Sequence, residues 1–189
     1  MTKWMIAAVL LMAHTAHADS SASISSVIQE LPPMYLEGGV EGGFEGGDRV
    51  ISVATIGSGQ RLTDVRRDSH SSLSWWLREE VVFGQSDEFL NLFGPPKQGD
   101  VFGARLGIEL RGCVGYQIVC AVGGVDAGLQ HDSYNEMSSP GATGIDPVGI
   151  VRAGLDLGYK LRVRPAIEIP ISPAGAGFEV KLGLALQWD

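Results

Sequence analysis

Long, almost unbroken alternation between apolar and polar side chains constrains this chain more than any other feature. In 102–111 the even positions are Phe102, Ala104, Leu106, Ile108 and Leu110, set against Gly103, Arg105, Gly107, Glu109 and Arg111. In 151–159 Val151, Ala153, Leu155, Leu157 and Tyr159 face Arg152, Gly154, Asp156 and Gly158. The same holds in 161–171, with Leu161, Val163, Ile167, Ile169 and Ile171 on one side and Arg162, Arg164 and Glu168 on the other. In 178–188 Phe178, Val180, Leu182, Leu184, Leu186 and Trp188 oppose Glu179, Lys181 and Gln187. A strand points successive side chains to opposite faces, so each segment predicts a strand with one apolar and one polar face. Weaker alternation predicts four more strands over 35–44, 49–57, 72–84 and 118–131. In the third, Leu73, Trp75, Leu77, Val81 and Phe83 are interrupted by Glu79. Eight strands is an even number, and most approach the ~9–11 residues of a tilted membrane strand. The expected fold is all-β, an eight-stranded antiparallel up-and-down transmembrane β-barrel. Residues 58–71 fit poorly, because that connection should be a short turn at the rim holding the termini.

The chain has 189 residues, 14 Lys+Arg, 22 Asp+Glu and a formal charge of -8, which offers no basic surface to a nucleic acid. Its 26 glycines lie within apolar stretches and follow no collagen-like period. Lys3, the apolar run from Trp4 to Ala13 and Ala16-His17-Ala18 predict a secretory signal peptide over 1–18. A flexible linker over 19–33 and a barrel domain over 34–189 follow. An exported chain admits a disulfide, and Cys113 and Cys120 suit a hairpin staple. A metal site is not expected, since His70 and His131 lie outside zinc-ligand spacings.

The choice between a membrane barrel and a soluble lipocalin-like ligand-binding barrel rests on which face meets water. The polar face is rich in glycine, which suits a narrow interior. Its charges balance: Arg78, Arg105, Arg111, Arg152, Lys160, Arg162, Arg164 and Lys181 against Glu37, Glu41, Glu80, Glu109, Asp126, Asp156, Glu168 and Glu179. That is the expectation for an enclosed lumen, where an unpaired charge is costly. Aromatic residues divide by depth into two girdles. Phe44, Phe83, Phe102 and Phe178 fall near one rim, and Tyr35, Trp75, Trp76, Tyr116, Tyr159 and Trp188 near the other. Parity turns both cysteines inward. Pairing them sets Glu109 opposite Gly124 and Gly107 opposite Asp126, around a turn centred on Tyr116 and Gln117. A turn near Lys160-Leu161 would set Gly158 opposite Arg164 and Gly154 opposite Glu168.

With these features the chain resembles the small eight-stranded bacterial outer-membrane β-barrels of the outer-membrane protein A and X type. The resemblance spans roughly Tyr35 to Trp188. It rests on segments such as Gly124-Val125-Asp126-Ala127-Gly128-Leu129-Gln130-His131 and Ala153-Gly154-Leu155-Asp156-Leu157-Gly158-Tyr159. It implies an outer-membrane location after Sec-type export, contact with lipid and lipopolysaccharide, a monomer and no cofactor. The implied role is structural, or surface interaction with an extracellular partner through loops 85–100 and 132–147, and not enzymatic. His131-Asp132-Ser133 is similar to the His-x-Ser pair of outer-membrane lipid A deacylases, with Tyr134 where that family has Asn. That second resemblance implies a hydrolase alternative, with His131 activating Ser133 and Glu136 or Asp146 orienting the imidazole.

Overall fold

In a computed structural model, residues 33–45, 49–68, 70–88, 98–115, 117–133, 144–173 and 175–188 are described, with the side chains of Glu45 and Glu88 left out. They belong to one compact unit, Pro32–Asp189. The expected signal peptide, the linker before Pro33, Tyr116 and Glu136 lie outside the described residues.

Eight strands form the wall: β1 Met34–Glu45, β2 Arg49–Arg67, β3 Ser71–Glu88, β4 Gln98–Val114, β5 Val119–Asp132, β6 Ile145–Gly158, β7 Leu161–Ser172 and β8 Phe178–Trp188. Gly175 and Ala176 fold back on Ser172 and Ile171 within the β7–β8 hairpin. Every strand pairs antiparallel with its sequence neighbours, and β1 pairs with β8, so no edge is left open along the shared length. Ladder partners run from Met34 through Gln60, Leu77, Ile108, Val125 and Val151 to Ile169. Continuing the β7–β8 ladder one step past Glu168↔Glu179 reaches Phe178, the partner of Phe44, ten residues further along β1 than Met34. That stagger tilts the strands by roughly 35–45° and leaves an interior just wide enough for side chains.

Burial follows parity around the wall, except at the end of β2 from Leu62 to Arg67, where every residue is exposed. Outward residues such as Leu161 (65% exposed) and Val40 (61%) contrast with inward Arg78 (2%) and Glu80 (3%). The apolar face is therefore outside and the charged face inside, opposite to a soluble ligand-binding barrel. Phe83 pairs with Phe102 and Phe44 with Phe178, forming the aromatic level toward the far rim. Trp75, Tyr159 and Trp188 lie toward the rim that holds the chain termini. On β3, Trp75 and Phe83 share the outward face, roughly 20 Å apart along the axis at ~3.3 Å per tilted residue.

The structure corrects several boundaries and positions. Residues 58–67 continue β2 instead of forming a loop, and only a short connection precedes β3. The β2–β3 register shifts at Arg61/Thr63 and again at Asp64/Arg66, with Leu62 and Val65 as the intervening residues. Each bulge inserts one residue, which breaks the two-residue period from which a strand is read. The loops expected over 85–100 and 132–147 are shortened, because Gln85 pairs with Asp100 and His131 with Ile145. The β6–β7 turn is two residues tighter than expected. Gly158 pairs with Arg162, Gly154 with Ala166 and Arg152 with Glu168. Gly158 has φ 122°, a backbone region that glycine enters without strain, and this permits the tight turn. A shift of two preserves parity, so no side chain changes face.

Tyr35 and Trp76 do not join the girdle. Both point into the lumen, 1% and 2% exposed. Gly59 makes room for Tyr35, since a Cβ there would overlap the phenol ring.

Candidate functional site

The only extended polar constellation among the described residues fills the lumen. Inward positions on all eight strands converge there because a narrow barrel points every second side chain at the axis. Toward the terminal rim, Arg164 bridges three strands: it contacts Glu37 at 2.5 Å, Glu109 at 2.8 Å and also Asp156. Arg111 reaches Glu109 at 3.0 Å and Asp156 at 3.2 Å, and donates to Gln187 Oε1 at 2.9 Å. The Tyr35 and Trp76 rings, 5.6 Å apart, back these guanidiniums. Arg111 stands 4.2 Å from the Trp76 ring and Arg164 stands 4.4 Å from the Tyr35 ring. The aromatic faces add cation–π attraction on the sides that carboxylates do not cover.

Higher in the lumen, Arg78 pairs with Glu80 at 2.6 Å and Asp126 at 2.9 Å. Lys181 contacts Glu80 directly and Glu37 at 3.2 Å. Arg152 contacts Asp126 directly and lies 3.5 Å from Glu168. Arg105 joins Glu41 at 3.0 Å and Glu168 at 3.4 Å. Glu179 lies with Glu41 and Glu168, their carboxylate oxygens within 4.8 Å of one another. Most of these charges are shared among several partners, which offsets the cost of taking them out of water. A small void in the wall, lined by Glu37, Arg152, Gly154, Arg164 and Lys181 on the inner side and by Leu155 and Pro165 on the outer side, measures about 10 Å³, room for about one water.

Membership of the lumen differs from the expected set in two ways. Lys160 is exposed at the β6–β7 turn. Arg49 and Asp132, absent from that set, are buried toward the far rim and paired at 2.5 Å, with Ser86 Oγ donating to Asp132 at 2.9 Å. Between this mouth pair and the central network lie Ile51, Val53, Val82 and Val101, with Val148 and Ile150 also buried. Parity alone marks Arg49, Asp132, Tyr35 and Trp76 as inward, so the signal was present in the sequence.

Cys113 and Cys120 form a disulfide across a directly opposed pair, with Cα atoms 3.9 Å apart and both residues buried. The β4–β5 ladder sets Glu109 opposite Gly124 and Gly107 opposite Asp126. Arg162 donates to Cys120 Sγ at 3.2 Å and lies 3.9 Å from Asp156. The His131–Ser133 pair is half-buried near the far rim, and both groups engage backbone. His131 Nδ1 donates to Gly144 O at 3.1 Å, and Ser133 Oγ accepts from Asp100 N–H at 2.7 Å.

No protein-family model and no curated protein matches the chain. Among solved structures it is similar to Ail, the attachment invasion locus protein of Yersinia pestis. Identity is 12% and the TM-score 0.48, over 84% of this chain and 99% of that one. It is also similar to the outer membrane enzyme PagL, at 12% identity and TM-score 0.37, over 79% and 98% of the two chains. At these values the fold rests on the chain's own geometry: a closed, eight-stranded antiparallel barrel of the transmembrane type, apolar outside and charged inside.

Proposed function

We propose that the protein is a bacterial outer-membrane barrel, exported through the Sec route, with a closed lumen. Its role is structural, or surface interaction through the far-rim connections around 85–100 and 132–147. The observation that carries this reading is the inversion of a soluble fold: the outer wall between two aromatic levels is apolar on six of the eight strands and mostly so on β2 and β3, and the inward charges are paired. Lipid accepts such a wall and water does not. The packed ion pairs and the apolar layer beneath the far rim support a barrel that does not conduct. The separate backbone partners of His131 and Ser133 support a non-enzymatic role, since among the described residues the two side chains are not hydrogen-bonded to each other as a base and its nucleophile would be.

Membrane fractionation with gel migration before and after boiling tests the location. Recovery with the outer membrane and a heat-dependent shift is expected, and recovery as a soluble protein without a shift overturns it. Planar-bilayer recording of the purified barrel is expected to give no steady conductance. Ser133→Ala is expected to leave lipid A acylation unchanged, and a lost deacylation product would instead establish the hydrolase.

A further inference from the structure

The outward face between the aromatic levels is apolar on β1 and on β4 through β8, and it departs from that rule in one place. Ser52, Ser58 and Gln60 on β2 and Glu79 on β3 all point outward there. Glu79 lies midway between the girdle residues of its own strand, four residues from Trp75 and four from Phe83. Roughly 10 Å of axis therefore separates it from either level, too far for the two methylenes of a glutamate to bring its carboxylate to the interface. Its carboxylate has no hydrogen bond or ion pair among the described residues. An ionisable group in the middle of a lipid-facing wall is costly unless something covers it.

The surroundings indicate the cover. Ser58 is the direct ladder partner of Glu79, and Gln60 sits one outward step below it. The adjoining wall carries the small residues Ala54 on β2 and Gly38 and Gly42 on β1, which leave recesses beside the exposed Val40 and Ile56. A Cβ at Gly38 would meet nothing nearer than 4.0 Å, whereas one at inward Gly57 would lie 2.7 Å from Glu79 O. Close approach through small residues, with polar groups bonding across the contact, is how membrane-embedded protein surfaces associate. The patch is also self-complementary. It holds an acceptor beside a hydroxyl and an amide, so a two-fold axis along the membrane normal brings each Glu79 to the other copy's Ser58 and Gln60. The outward belt carries no cation among the described residues, and these uncharged donors are what a second copy supplies.

We propose that two copies of the chain associate in the membrane through the β1–β3 wall, with Glu79 of each hydrogen-bonded to Ser58 and Gln60 of the other. This rests on the membrane reading above and replaces the monomer expected from sequence.

The test uses the full chain in its own membranes. Both native cysteines are in the lumen disulfide, so Ile56→Cys, one outward step from Ser58 and outside the proposed hydrogen bonds, introduces a single outward thiol, and Val151→Cys provides a control on the other wall. After mild oxidation, Ile56→Cys should give a disulfide-linked band at twice the chain mass, several-fold stronger than Val151→Cys. Adding Glu79→Leu to Ile56→Cys should remove that band while the heat-dependent shift of the folded barrel persists. Adding Glu79→Gln should retain it, because an amide still bonds across the contact. A heat-shifting membrane species that stays monomeric, links equally from both walls or links to a protein of another mass overturns the dimer alone. A soluble species with no heat-dependent shift overturns the membrane reading together with it.

Discussion

Two levels of one lumen solve the same packing problem with opposite chemistry. The central and terminal-rim part is filled by shared ion pairs, from Arg105 and Glu41 down to Arg164, Glu37 and Glu109. The part beneath the far rim is filled by Ile51, Val53, Val82 and Val101, capped by the Arg49–Asp132 pair. Both exclude water, and they differ in what a single substitution leaves behind. In the charged part, loss of one cation strands several buried carboxylates. In the apolar part, loss of methyl groups leaves only a cavity. The charged part is therefore specific and brittle, and the apolar part graded.

The largest expected break is Arg164→Leu, which removes the partner of Glu37, Glu109 and Asp156 at once. A cost of about 3–5 kcal/mol is expected, read as a lower urea midpoint of the heat-shifting band in liposomes. Ile51→Ala in the apolar layer should cost about 2–4 kcal/mol by the same measurement, within the range for cavity-forming core changes. At the mouth, Arg49→Leu alone should destabilise, whereas the double variant Arg49→Leu with Asp132→Leu should recover most of the loss. Equal losses in the single and double variants would show that the pair is held for more than its charges. Opening the disulfide by Cys113→Ala with Cys120→Ala should cost about 2 kcal/mol, since it closes only a short loop.

The smallest effect lies outside the lumen. Asp68, in the exposed β2–β3 turn, accepts from the His70 N–H, and from the Ser71 hydroxyl and N–H. These bonds pull its carboxyl down to about 2. A depressed carboxylate stabilises the fold above its unfolded value of roughly 4 and loses that contribution as pH falls toward about 2. Protection of the His70 and Ser71 amides, taken relative to their intrinsic exchange rates at each pH, should fall as pH drops across that window in the native chain. In Asp68→Ala it should be low throughout.

Parity made most of the barrel legible, because a period of two assigns a face to each residue without knowledge of its neighbours. It failed at Leu62 and Val65, where bulges add residues that the pairing skips. It was misapplied at Tyr35 and Trp76, where aromatic character was given more weight than position. Trp75 and Trp76 are adjacent and must face opposite ways, one to the outer wall and one to Arg111.

What the sequence by itself determined is the face of most side chains, the all-β architecture and the inward disulfide, since these follow from local alternation and spacing. Only the tertiary structure decided the β6–β7 register, the stacking of the lumen into charged and apolar levels, and which carboxylates each arginine joins. Those depend on the stagger between strands far apart in the chain. The stagger sets the height at which residues such as Arg105 and Glu41 meet, and no local pattern carries it.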